Sequence, residues 1–142
     1  MPPRRVLVVD DEPRILDIVQ YFLEQGGYQV EARSIPEEAL ASARRKAFDV
    51  AILDIVLGDT SGYQVASQLK RLPPNEKTPV LFMSSKVEMA DLFLEHYEGR
   101  AEFIQKPFKK ADLLAKVAEL AEGGGRVTPG RSREDRARKG QG

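Results

Sequence analysis

Five short strand candidates, most of them apolar runs, recur along this chain, each breaking off at a polar residue and each followed by a stretch of helical periodicity. That alternation constrains the fold more than any other feature. Arg5–Val9 is almost wholly apolar and rich in valine, as a strand covered on both faces of a parallel sheet must be. Residues 13–24 then place Ile15, Leu16, Val19, Phe22 and Leu23 on one helical face, and Gly26 and Gly27 end the helix. A shorter strand is expected at 28–32. Ser34 stands three residues before Glu37, the spacing of a capping box, and Pro36 suits the first turn of a helix running to about residue 47. A third apolar run, 48–54, ends in Asp54. Ser61 or Gly62 opens the next helix through Val65, Ala66 and Leu69, and Pro73 and Pro74 stop it. A fourth strand at 79–83 meets Ser84 and Ser85, and a fourth helix is expected over 87–98, with Gly99 as the turn after it. The fifth strand, 101–104, leads to Lys106, Pro107 and Phe108. A last helix from 109 or 110 to 120 turns Leu113, Leu114 and Val117 inward.

Strands alternating with helices of this length predict an α/β protein with a parallel sheet and covered faces, its reactive crevice beyond the carboxyl ends of the strands. The 142 residues suit one domain. The chain has no cysteine, so it has no disulfide framework, thiol nucleophile or Cys-ligated zinc. Its one histidine, His96, argues against a His-rich metal site or a Ser-His-Asp triad. The N-terminal apolar run is too short for a signal core or membrane span, so a cytoplasmic protein without a membrane span is expected. The folded domain is expected at 1–122. Residues 123–142 open with three glycines and carry six basic residues against Glu134 and Asp135. They read as a disordered basic tail or linker stub. They are too short and glycine-rich for a helix-turn-helix, so nucleic-acid contact is not expected from this chain alone.

The polar residues that end the runs form a chemical set. Asp10 and Asp11 follow the first strand, Asp54 ends the third, Ser84 the fourth, and Lys106 follows the fifth. If these strands are neighbours, the groups converge. Three carboxylates packed together repel each other and demand a cation. Oxygen-only ligands favour Mg²⁺, with Mn²⁺ able to take its place. A lysine and a hydroxyl beside that ion suit a phosphoryl group, whose equatorial oxygens they would neutralise. Asp54, ending the central strand, is the best candidate nucleophile, and Asp10 and Asp11 the metal holders. Taken singly, each aspartate could equally end a strand or favour a helix N-terminus; their joint position carries the functional reading.

With these residues in place, the chain resembles the receiver domain of two-component response regulators over roughly residues 4 to 122. VLVVDDE at 6–12, AILDIVLGDTSG at 51–62, MSS at 83–85 and FIQKPF at 103–108 are similar to the family's motifs, in order and at the family's separations. The resemblance implies a flavodoxin-like, doubly wound (βα)5 fold with a five-stranded parallel sheet in the order 2-1-3-4-5. It implies that Asp54 accepts phosphate from the phosphohistidine of a sensor histidine kinase or phosphotransfer protein. Asp10 and Asp11 would organise Mg²⁺, Asp11 as a direct ligand, aided by Asp54 and the carbonyl of Val56. Ser84 corresponds to the switch hydroxyl and Lys106 to the lysine that pairs with the phosphoryl group, with a cis bond at Lys106–Pro107. Phe103 occupies the switch aromatic position.

The resemblance also implies slow self-dephosphorylation without a separate turnover substrate, so an acceptor domain and not an enzyme. Phosphorylation would bias a surface of the fourth helix, fifth strand and fifth helix, with Met89, Phe93, Tyr97 and Lys110 as candidate members. That face would serve a downstream protein, a fused output domain or a homodimer. Two departures stand out. Gly58 replaces the loop proline usual four residues after the acceptor and would loosen that loop, and Arg100 replaces a small residue. Two other readings stay open: a non-phosphorylated pseudo-receiver acting as an interaction module, and a Mg²⁺-dependent phosphatase. The phosphatase would need a second acid where Val56 stands.

Overall fold

The computed structural model describes residues 3–86, 88, 94–95, 97–124 and 126–128. The main elements are β1 (Arg5–Val9), α1 (Pro13–Gln25), β2 (Gln29–Arg33), α2 (Pro36–Ala43), β3 (Val50–Asp54), α3 (Gly62–Lys70), β4 (Val80–Ser84), β5 (Gly99–Gln105), α4 (Lys110–Ala121) and β6 (Arg126–Thr128). The helix expected over 87–98 lies largely outside the described residues; Leu94 and Glu95 are helical. Strands β1 to β5 are parallel and lie in the order 2-1-3-4-5, as the resemblance implies.

The register explains why the apolar runs are continuous. Val50 and Ile52 of β3 join Val6, Val8, Leu81 and Met83 in a cluster with Leu16, Val19 and Leu23 of α1 and Leu113 and Val117 of α4. Ala51 and Leu53 point the other way, joining Leu7, Val9, Val80 and Phe82 with Ala39 and Leu40 of α2 and Val65 and Leu69 of α3. With a core on each face, alternation has no polar side to display. Each fully buried leucine or isoleucine contributes roughly 1.5–3 kcal/mol.

Three expectations are corrected. The Ser34–Glu37 capping box does not form: Pro36 takes the first helical position, so the N-cap is Ile35, without a side-chain cap, and Ser34 falls one residue out of register. Helix α2 stops at Ala43, short of 47, and Asn75 Nδ2 donates to the carbonyls of Ala43 and Lys46 at 2.7 and 2.9 Å. The tail boundary also moves. The chain continues past residue 122 into β6, which pairs antiparallel with β5 through Gly99–Thr128, Arg100–Val127 and Ala101–Arg126. The rest of the expected tail, 129–142, lies outside the described residues. Among the described residues no helix is long and apolar enough to cross a membrane.

Candidate functional site

The parallel order sets the carboxyl ends of β1, β3, β4 and β5 side by side, and four of the five predicted groups come together there. Asp10 is fully buried just past β1, Asp54 is buried at the end of β3, and Lys106 follows β5. The Lys106 ammonium donates to Asp10 Oδ2 at 2.7 Å and to Asp54 Oδ2 at 2.6 Å. The second oxygens are held by main-chain N–H groups: Glu12 N donates to Asp10 Oδ1 at 2.9 Å, and Val56 N to Asp54 Oδ1 at 3.0 Å. Asp11 is exposed, yet one of its oxygens lies within 4.8 Å of oxygens of Asp10 and Asp54. An open cavity of about 530 Å³ reaches Asp11, Asp54, Val56, Ser84 and Lys106.

One ammonium therefore faces three carboxylates. Burial is the largest influence on Asp10 and pushes its carboxyl up to about 6; the hydrogen bonds from Lys106 and Glu12 N–H work against it without cancelling it. Lys106 moves the other way from what burial dictates. Desolvation would lower it, but the hydrogen bonds to Asp10 and Asp54 outweigh that and hold it above the ordinary lysine value. A cluster of oxygen donors with surplus negative charge fits a small hard dication.

Ser84 is buried beside the cluster, but its hydroxyl is engaged with its own loop and accepts from Lys86 N at 3.0 Å. The Lys106 N–H donates to the Ser84 carbonyl at 2.9 Å, so the hydroxyl-bearing and lysine-bearing strand ends are joined directly. The Lys106–Pro107 bond is cis. Phe103 is half-buried and packs against the α2–α3 side of the core. Of the candidate surface residues, Met89 and Phe93 lie outside the described residues. Tyr97 is buried, its ring edge-on to Phe82 at 5.6 Å, and so belongs to the core. Lys110 is exposed and donates to Gln25 of α1.

The loop after Asp54 is tighter than expected. Val56–Leu57 pairs antiparallel with Thr60–Ser61, and Gly58, at φ +59°, closes the hairpin from the left-handed region that glycine enters without a Cβ clash. Gly58 thus orders the loop where it was expected to loosen it. Ser61 caps α3 through a full capping box with Gln64. The next residue matters to the site and escaped the reading of the sequence. A Cβ on Gly62 would sit 2.2 Å from the Asp54 carbonyl oxygen, so only glycine lets α3 begin against β3. A glycine directly after an N-cap serine was the available signal.

Comparison with known proteins adds a second line. The response regulator receiver domain family matches residues 6–118. The transcriptional regulatory protein CreB of Escherichia coli (strain K12) is 37% identical over 122 residues, which is 84% of this chain and 52% of that protein. The alkaline phosphatase synthesis transcriptional regulatory protein PhoP of Bacillus subtilis (strain 168) is 34% identical over 117 residues, 82% of this chain and 48% of that one. A solved receiver domain protein (CheY-like) from Methanospirillum hungatei JF-1 superposes with a TM-score of 0.71 at 32% identity, covering 84% of this chain and 94% of that chain. The chain spans about half the length of the two regulators.

Proposed function

This chain belongs to the response regulator receiver domain family, and we propose that it accepts a phosphoryl group on Asp54 from the phosphohistidine of a sensor histidine kinase or phosphotransfer protein. The observation that carries the reading is the Asp54 carboxylate, one oxygen held by the Lys106 ammonium at 2.6 Å and the other by the Val56 N–H at 3.0 Å, lining an open cavity. Those contacts support the reading by orienting the carboxylate. The Asp54 oxygen forms the new bond, the phosphorus–nitrogen bond of the donor breaks, and its electron pair stays with the imidazole. Lys106 and the Val56 N–H are placed to neutralise and hold the phosphoryl oxygens, and Ser84 is placed to donate to one of them once it leaves Lys86 N. Water later attacks the phosphoryl group, the bond to the Asp54 oxygen breaks, and inorganic phosphate leaves as the carboxylate is restored, so the domain acts as a slowly self-dephosphorylating acceptor without a separate turnover substrate.

Asp10, Asp11, Asp54 and the Val56 carbonyl would hold Mg²⁺, or Mn²⁺ in its place, and the ion would supply further neutralisation of phosphoryl charge. The clustered carboxylate oxygens support that assignment. Ser84 and Phe103 would act as the switch, biasing the face made by 87–98, β5 and α4 toward a downstream protein, a fused output domain or a second copy of the chain. Both regulators to which it is similar are named as transcriptional, which favours an output tied to transcription. A cytoplasmic setting fits that role.

The test is intact mass after incubation with acetyl phosphate and Mg²⁺, with Asp54→Ala and EDTA controls. A labile gain of one phosphoryl mass that needs the metal and is absent from the variant is the expected result. No adduct on folded, Mg²⁺-binding protein would overturn the acceptor reading in favour of an interaction module. An adduct surviving in Asp54→Ala would overturn the residue assignment. The phosphatase reading is disfavoured by Val56, an apolar and half-exposed side chain where a second acid would have to stand.

A further inference from the structure

The segment after the last helix carries chemistry that the phosphoacceptor reading does not use. Helix α4 ends in a Schellman turn: Gly124 N donates to the Glu119 carbonyl at 2.8 Å and Gly123 N to the Leu120 carbonyl at 3.2 Å, with Gly123 at φ +95°. The glycines that composition assigns to a loose tail are thus a helix terminator, and they turn the chain back toward the sheet. A side chain at Gly124 would be crowded, since a Cβ there would lie 2.8 Å from Glu119 Cγ and 3.0 Å from the Glu119 carbonyl oxygen. The chain then runs antiparallel along β5 as β6.

Three paired residues do not hold a strand in water by themselves, and a second attachment is present. Arg100, in the middle of the paired stretch of β5, sends one guanidinium nitrogen to the Leu120 carbonyl at 3.0 Å and to the Gly124 carbonyl at 3.2 Å. The first of these, which already accepts from Gly123 N, stands at the helix C-terminus, where a positive charge is favoured by the helix dipole. The second lies beyond the turn. One side chain therefore ties together β5, the end of α4 and the returning segment. Arg100 is also one of the two positions at which this chain departs from the family pattern.

We propose that Arg100 is a latch that docks residues 126–128 onto the edge of the sheet, so that this segment is a fixed junction and not a free tether. The edge of β5 at Gly99–Ala101 is then covered by the chain itself. Any chain continuing past Thr128 leaves from the amino end of β5, the end opposite Lys106. The partner this surface fits is the protein's own following segment, and the proposal stands whether or not Asp54 is phosphorylated.

Hydrogen exchange by mass spectrometry on the 142-residue chain tests it, with a synthetic peptide of residues 122–142 as the undocked reference. The amides of 126–128 are expected to exchange at least about tenfold more slowly in the protein than in the peptide. Arg100→Ala is expected to bring them to the peptide rate while the α4 amides at 113–118 keep their protection, which separates undocking from unfolding. Gly124→Ala leaves Arg100 in place but crowds the Glu119 carbonyl, and it is expected to undock the strand as well. Exchange of 126–128 at the peptide rate in the wild-type chain would overturn the docking. Wild-type protection retained in Arg100→Ala would overturn the latch.

Discussion

At the amino ends of β3 and β4 the buried polar groups are neutral; at the carboxyl side of the sheet they include the charged Asp10 and Asp54. The neutral end is built around Asn75, which is 1% exposed. Its Oδ1 accepts from Phe48 N at 2.8 Å and its Nδ2 donates to the Ala43 and Lys46 carbonyls. The Thr78 hydroxyl lies within reach of both the Phe48 carbonyl and Asn75 Oδ1, at 3.0 and 2.9 Å. This network joins the end of α2 to the starts of two strands, and its side-chain polar atoms are partnered. At the other end Lys106 meets only part of the negative charge of Asp10, Asp11 and Asp54. Two buried polar clusters on one sheet thus differ in the quantity that separates scaffold from chemistry: one is saturated, the other holds a surplus of one sign that an incoming cation can relieve.

Removing each cluster's key side chain should shift stability in opposite directions. Asn75→Ala strips Phe48 N and two carbonyls of their partner and is expected to cost about 3 kcal/mol, read as a lower urea midpoint at unchanged slope. A loss below about 1 kcal/mol would mean that water replaces the side chain and the network is not saturated by protein groups alone. Asp10→Asn is expected to stabilise the metal-free protein at pH 7 by roughly 1–3 kcal/mol. The sign follows from a folded-state carboxyl raised to about 6 from 3.8. What this group contributes is present below the unfolded value and lost as pH rises through the folded one. Melting temperatures in EDTA from pH 3.5 to 7 should therefore converge for wild type and variant at the acid end and separate toward neutrality; parallel curves would sink the assignment. The smallest expected effect is Thr78→Val, about 1 kcal/mol, because Asn75 keeps its other partners. A cost equal to that of Asn75→Ala would mean that the hydroxyl and the amide act as one unit, which a double-mutant cycle measures.

The charged end was legible in the sequence and the neutral end was not. Asp10, Asp54, Ser84 and Lys106 stand where apolar runs stop, and a parallel sheet carries all such stops to one side. Asn75 sits in PPNEKTP, a string any surface turn could carry, and its burial depends on α2 ending at Ala43, a tertiary fact. The Gly58 hairpin and the Gly123–Gly124 turn were misread for a related reason. Glycine permits looseness and also permits a tight turn that no other residue adopts, and only the neighbouring hydrogen bonds decide between them. Gly62 is a third case, in which the deciding neighbour is the backbone of Asp54 at the end of β3.

The bonds from Lys106 to Asp10 and Asp54 span 96 and 52 residues of chain. Closing loops of that length is entropically slow and is repaid only when both partners are already in place. A chain still lacking β5, whether emerging during synthesis or refolding, holds its carboxylates without their lysine and is incompletely assembled at this cluster. On the proposed acceptor role, competence to bind a phosphoryl group would be acquired only once β5 is in place, and a half-folded copy would be silent to its donor without any separate checkpoint.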